Sequence, residues 1–258
     1  MRTLLFLLLA SISFLGCDYH QDSVFLGRRQ ASLLGDVNAG DLVAVKKFLD
    51  QGGNVNLQDE PGMTPLHHAV NADHRGSHLK MIQLLIKRGA NVNAVDDTHH
   101  TPLHLASHAE AAELLLKAGA NVNAQTERSG ETLLIAAARG AAQGAPQSYE
   151  TYLELTQLLL ANGADVNLKL KTGSMIEDEK PYHDKAGDTV LHQVARSYSE
   201  QHATEICGLL ISHGAELNAM NEKNQTPLDE ALANDRSKTA EFLRSKGTKT
   251  GKEFQGEN

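Results

Sequence analysis

Apolar positions recur at three- and four-residue spacing in a series of short stretches along the chain: MIQLLIKRG (81–89), AAELLLKAG (111–119), YLELTQLLLANG (152–163) and ICGLLISHG (206–214). Each stretch predicts one amphipathic helix, with an apolar stripe on one side and charges on the other. Each closes on a glycine (Gly89, Gly119, Gly163, Gly214) placed to end the helix in a left-handed turn. A second, shorter apolar phrase opens with threonine: TPLHHA (64–69), TPLHLA (101–106), TLLIAA (132–137), TVLHQV (189–194) and TPLDEA (226–231). Threonine at an N-cap accepts a hydrogen bond from free helix N–H groups, and proline fits the first helical turn. The pattern is therefore a chain of helix pairs. One pair cannot bury its stripe alone, so neighbours must stack and share a long core.

Between pairs stands a third phrase: QGGNVN (51–56), RGANVN (88–93), AGANVN (118–123), NGADVN (162–167) and HGAELN (213–218). An extended turn follows, often with Gly or Asn before the next threonine (Gly62, Gly130, Gly187, Asn224). These phrases resemble those of ankyrin repeats, and the resemblance runs from about residue 30 to residue 248. It implies an all-α solenoid with short β-hairpin fingers, of about six repeats including N- and C-terminal caps. The stretch 31–53 has the helix-pair spacing without the TPLH phrase. The stretch KTAEFLRSKG (238–247) sets Lys238, Glu241, Arg244 and Lys246 around a thin apolar stripe, as a terminal repeat needs. Residues 249–258 are expected to be a loose tail.

The spacing is irregular. From repeat threonine to terminal glycine the chain takes 25, 18, 31, 25 and 21 residues, and from each glycine to the next threonine 12, 12, 13, 26 and 12. Two insertions result. RGAAQGAPQSYETY (139–152) is expected to lengthen the turn between two helices of one repeat. LKLKTGSMIEDEKPYHDKAG (168–187) makes a long finger, with Lys171, Met175, Glu177, Asp178 and Tyr182 as candidate contacts. Long loops in compact arrays are functional or else disordered.

The first residues, MRTLLFLLLASISFLG, form an apolar run behind Arg2 that is too short for the ~20 residues of a membrane span. It reads as a signal peptide over residues 1–16. The stretch Phe14-Leu15-Gly16-Cys17 resembles a bacterial lipobox, which implies that Cys17 carries a lipid and heads a short tether, 17–29. Phe14 departs from the usual leucine. Cleavage after Ser11-Ile12-Ser13 by the general signal peptidase, or a buried N-terminal helix, are the other readings. By analogy with enteric lipoproteins, Asp18 favours the inner membrane, on the periplasmic face. The only other cysteine, Cys207, lies in a helical apolar stretch and is expected to be a buried thiol.

Composition narrows the function classes. With 24 basic against 32 acidic residues the formal net charge is −8, which argues against nucleic acid as a partner. Aromatics make up 4% and tryptophan is absent, so a stacking platform for bases or sugars is not expected. Thirteen histidines raise metal or haem. His67, His104 and His192, however, belong to the TPLH phrase, where the resemblance implies hydrogen bonds to backbone. His104 and His108 have i,i+4 spacing on a helix, but a zinc-hydrolase motif would need Glu where Leu105 stands. GTKTGK (247–252) is one residue short of a P-loop, and no Gly-x-Ser-x-Gly occurs. No active site, metal or cofactor is expected.

Ankyrin arrays bind proteins, and the resemblance places recognition on the concave side, at the finger tips and first helices. By position these are Glu60, Met63, Asp97, His100, Arg128, Glu131, Lys185, Asp188, Glu222 and Lys223 on the fingers, with Pro61, Thr98, Ser129, Ala186 and Gln225 beside them. Asn71, His108, Arg139, Arg196 and Asn234 are the first-helix contributions. Exported ankyrin lipoproteins include immunity proteins against type VI secretion lipases. The resemblance thus implies a monomeric, membrane-tethered module that blocks one protein partner, a lipase toxin. The alternatives it carries are an accessory protein for a periplasmic haem enzyme such as catalase, and an envelope scaffold.

Overall fold

The computed structural model describes residues 33–74, 76–143, 146–171 and 186–256. Helical residues 33–38 (α1) are followed by α2 (Leu42–Asp50), α3 (Pro65–Asn71), α4 (Leu79–Lys87), a 3-10 turn η1 (Pro102–Leu105) and α5 (Ala109–Lys117). Then come α6 (Leu133–Gln143), α7 (Pro146–Ala161), α8 (Val190–Ala195), α9 (Glu200–Ser212), α10 (Pro227–Ala233), α11 (Ser237–Ser245) and α12 (Gly251–Gln255). The threonine-led elements α3, η1, α6, α8 and α10 form an inner row, and α4, α5, α7, α9 and α11 an outer row. Inner elements pack on one another (α3 on η1, α6 on α8, α8 on α10), as outer ones do (α4 on α5, α5 on α7, α9 on α11). A single buried cluster runs from Leu33 to Leu243 through Leu66, Leu85, Leu103, Leu115, Leu155, Leu191 and Leu210.

The threonine phrase does what its chemistry predicts. Thr64 caps α3, while His67 Nδ1 accepts from the Thr64 N–H at 3.1 Å, closing a reciprocal box. Thr101 with His104 and Thr189 with His192 repeat it. The other ring nitrogen then crosses to the next repeat. Nε2 of His67 donates to the carbonyl of His100 (3.0 Å), that of His104 to Glu131 (3.3 Å) and that of His192 to Gln225 (3.0 Å). Nδ1 as acceptor and Nε2 as donor fixes one neutral tautomer.

The asparagine phrase builds a second ladder. Asn56 Oδ1 accepts from the Asn91 N–H (2.7 Å), Asn93 from Asn121 (2.8 Å), Asn123 from Asp165 (2.8 Å), Asn167 from Glu216 (2.9 Å) and Asn218 from Lys249 (2.8 Å). Each bond joins a turn to its successor and satisfies backbone that the turn leaves exposed.

Four expectations need correction. Among the described residues the fingers contain no strand. Typically one backbone bond closes a finger (Asp59 N to Met63 O, 3.1 Å; Asp96 N to His100 O, 3.0 Å) and one joins it to the next (Asp97 N to Pro61 O, 3.0 Å). That is too few for a ladder, so the fingers are turns. They stack closely: a Cβ on Gly187 would lie 2.8 Å from the Glu222 N, and its φ of +81° also favours glycine.

The 139–152 insertion is absorbed into helix. α6 and α7 run 11 and 16 residues, because Ala137, Ala138, Ala141, Ala142 and Leu155 are buried between them and against α9. The 18-residue repeat, conversely, has no room for a full inner helix. η1 stops at Leu105 and Ala106 is extended (φ −70°, ψ 119°), so His104 and His108 do not share a helix. Last, the stretch expected to be loose continues the pattern: Thr250 caps α12, and the Gly251 N–H reaches Asp229 Oδ2 at 2.7 Å. Among the described residues no helix is long and apolar enough to cross a membrane.

Candidate binding groove

Fingers and inner elements share a face because side chains bridge them. Asp59 on the second repeat's finger reaches His68 of α3 (2.7 Å), Glu131 reaches Arg139 of α6 (2.6 Å), and Asp188 reaches Arg196 just after α8 (3.1 Å). The spacing in sequence is eight or nine residues each time, one finger-to-helix span.

The third of these pairs is the deepest. Asp188 is fully buried; its Oδ1 accepts from Asn221 (2.8 Å) and its Oδ2 from Gln193 (2.9 Å) and Arg196. Glu230, also fully buried, lies 4.0 Å from the other side of the Arg196 guanidinium. A buried charge is tolerable only when it is paired and hydrogen-bonded: Asp188 has three such bonds, while Glu230 Oε2 meets Arg196 by charge alone.

Several candidate contacts are therefore committed inside the chain. Glu131, Arg139, Asp188 and Arg196 form two pairs, and Asp188 cannot reach a partner. His108 is buried too, its Nε2 3.0 Å from Asp73 Oδ2 and 2.9 Å from the Gly76 N–H, so it bolts the second repeat to the third. Met63 and His100 are half-buried, and His100 Nδ1 meets the Thr98 hydroxyl at 2.6 Å. Asn234 is half-buried and donates to the Glu230 carbonyl (2.8 Å). Glu60, Asn71, Asp97, Arg128, Lys171, Glu222 and Lys223 are exposed, as a contact surface requires. Cys17, Met175, Glu177, Asp178, Tyr182 and Lys185 lie outside the described residues.

Sequence reasoning missed a cleft. Where the short η1 repeat meets the long α6–α7 pair, a hollow of about 390 Å³ opens, floored by Leu105, Ala106 and Ser107 and walled by Ala136, Gly140, Gln143 and Tyr152. Gly140 sets its depth: a Cβ there would touch the Tyr152 ring at 3.0 Å. The other side of the α6–α7 pair is covered by α9, where the Tyr149 and His202 rings stack at 4.0 Å and Ser197 Oγ donates to the Ala142 carbonyl (2.7 Å). The neighbouring 18- and 31-residue spacings were the available signal.

Electrostatics leave little for chemistry. Burial pushes the His67 and His104 imidazoles down, and the His192 imidazole down to about 4. Burial pushes the Cys207 thiol up to about 12, which makes it an inert packing group. Burial and the Glu205 carboxylate push the Tyr149 phenol up. Among the described residues no group of three or more His, Cys, Asp or Glu is placed to hold a metal.

Comparison with known proteins agrees with this geometry. A family model described as ankyrin repeats (3 copies) matches residues 33–126 and 141–253. An ankyrin repeat domain from Acinetobacter baumannii superimposes with a TM-score of 0.67 at 24% identity, covering 84% of this chain and 98% of that one. A chain from the complex of a predatory endopeptidase of Bdellovibrio bacteriovorus with an immunity protein matches at 30% identity and a TM-score of 0.56, covering 83% of this chain and 97% of its own. No curated protein sequence matches the chain.

Proposed function

This chain belongs to the ankyrin-repeat family, and from that premise we propose that it is an immunity protein that binds one toxic hydrolase and covers its active-site mouth. The observation that carries the reading is the 30% identity, over 83% of this chain, to a chain of an endopeptidase–immunity complex. The family is one of protein-interaction modules, and no catalytic family is indicated. The groove supports inhibition by shape: its deep charges are already paired within the chain, while exposed finger residues and one cleft offer contact surface.

The target follows from the compartment. With residues 1–16 removed and Cys17 lipidated, the array would sit at the periplasmic face of a membrane, the inner one on the reading of Asp18. There a type VI secretion phospholipase is the toxin it would meet at its substrate. The neighbour's partner supports a second reading, in which the blocked enzyme is a peptidase. The haem-accessory reading draws no support from His67, His104 and His192, which spend both ring nitrogens on backbone and threonine.

Affinity purification of the tagged, detergent-extracted protein from its own cells, with mass spectrometry, tests the proposal. The expected result is one stoichiometric hydrolase whose activity the added protein abolishes. A haem enzyme, or no dominant partner, overturns it. Metabolic labelling with a clickable fatty acid, lost in Cys17→Ser, tests the anchor separately.

A further inference from the structure

At the end of the inner row away from the fingers, one aromatic side chain stands almost fully in solvent. Tyr198, in the link between α8 and α9, is 80% exposed. The Arg236 guanidinium lies over its ring, 4.6 Å from the centroid, and Arg236 Nε donates to the Arg196 carbonyl at 3.3 Å. Arg196 is itself held by the buried Asp188 network. The chain of restraint thus runs from a buried carboxylate, through Arg196, to the guanidinium of half-buried Arg236, whose position is set before anything binds.

The charge around this guanidinium is unbalanced. Among the described residues no carboxylate lies within 4.0 Å of the Arg236 nitrogens, in a chain with 32 acidic and 24 basic residues. Glu200 is the nearby acid at the start of α9, and it is committed to the N–H groups of Lys238 and Thr239 (2.6 and 3.1 Å). With Nε used, the two terminal nitrogens of Arg236 present the geometry that a carboxylate accepts in a bidentate pair. The Tyr198 ring supplies apolar area with few rotamers to freeze. Exposed tyrosine and fixed arginine are the residue types that dominate binding energy at protein interfaces, and pre-organisation removes part of the ordering cost.

We propose that Tyr198 and Arg236 form a docking point for an acidic segment of the partner protein, an Asp or Glu side chain pairing with Arg236 while its neighbour packs on Tyr198. This rests on the partner-binding reading above and names the chemistry of the partner's contact.

The test pans a phage-displayed library of random peptides against the full chain in detergent, then measures the selected peptides by fluorescence anisotropy. Enrichment of Asp- or Glu-bearing peptides is expected. Their affinity should fall roughly tenfold or more in Arg236→Ala and in Tyr198→Ala, less in Arg236→Lys, with thermal midpoints unchanged. Peptides without carboxylates, equal binding to the variants, or no enrichment overturns the docking point. A captured hydrolase that both variants bind and inhibit as well as wild type overturns it too, while leaving the immunity role standing. Failure to capture any hydrolase, with acidic peptides still selected, separates the two in the opposite direction.

Discussion

The third and fourth repeats sit side by side and hold together by different means. The third is short. Its inner element is a four-residue 3-10 turn, and polar bridges carry its junctions: His104 to the Glu131 carbonyl, Asn93 to the Asn121 N–H, and His108 beside Asp73. The fourth has lost the relay histidine, since Ile135 stands where three of the other phrases have His and the last has Asp229, but its two helices run 11 and 16 residues over a wall of buried alanine and leucine. Where a repeat is too short to bury much apolar surface, hydrogen bonds bind it to its neighbour. Where the relay is missing, added helix length replaces it. The step between the two leaves the cleft.

If that division holds, substitutions should separate the two repeats by size. The largest loss is expected from Leu155→Ala in α7, fully buried, at about 2–5 kcal/mol in urea denaturation. A value below that of His104→Ala would reverse the comparison.

Acid should attack the relay repeats. The folded His192 imidazole is held near 4 against 6.5 when unfolded, so the unfolded chain binds the extra proton between those values. Stability is full above about pH 6.5 and falls as the pH drops toward 4, by about 3 kcal/mol for this group. His67 and His104 add losses of the same sign. Hydrogen exchange at pH 7 and pH 5 should show protection lost at the junctions made by these three histidines before the α6–α7 pair. Uniform loss would refute the division.

His104→Ala strands the Thr101 N–H and removes one of the two bonds to the Glu131 carbonyl, which keeps the Thr126 N–H, and should cost about 1–3 kcal/mol. At the bottom of the scale, Lys117→Ala removes an exposed i,i+4 partner of Glu113 on α5 and should cost no more than about 0.5 kcal/mol. Cys207 should resist a thiol reagent in the native state and react at the unfolding rate, because it is fully buried with its pKa raised.

Much of the architecture was legible in the residues themselves. Thr-Pro-Leu-His and Gly-Ala-x-Val-Asn act within a few positions of where they stand, through a cap, a fixed φ, a left-handed glycine or a stripe at helical spacing. Such local chemistry does not wait for tertiary context. Cys207 as a buried packing group was likewise readable from its apolar helix face, whereas the three backbone-bonded histidines were readable only through the resemblance to ankyrin repeats.

Only the tertiary structure decided the rest. Whether residues 139–152 became loop or helix depended on α9 and the link before it being present to cover Ala141, Ala142 and Tyr149, with Ser197 standing 55 positions from Ala142 in sequence but adjacent in the stack. Whether Asp188 faced a partner or the interior was set by Asn221 from the next finger, and where the Arg236 guanidinium lies was set by the carbonyl of Arg196 and the Tyr198 ring. A side chain's exposure and charge partner belong to the space between repeats. Sequence specifies each repeat's own surfaces, and only stacking decides which of those surfaces remain for another protein to touch.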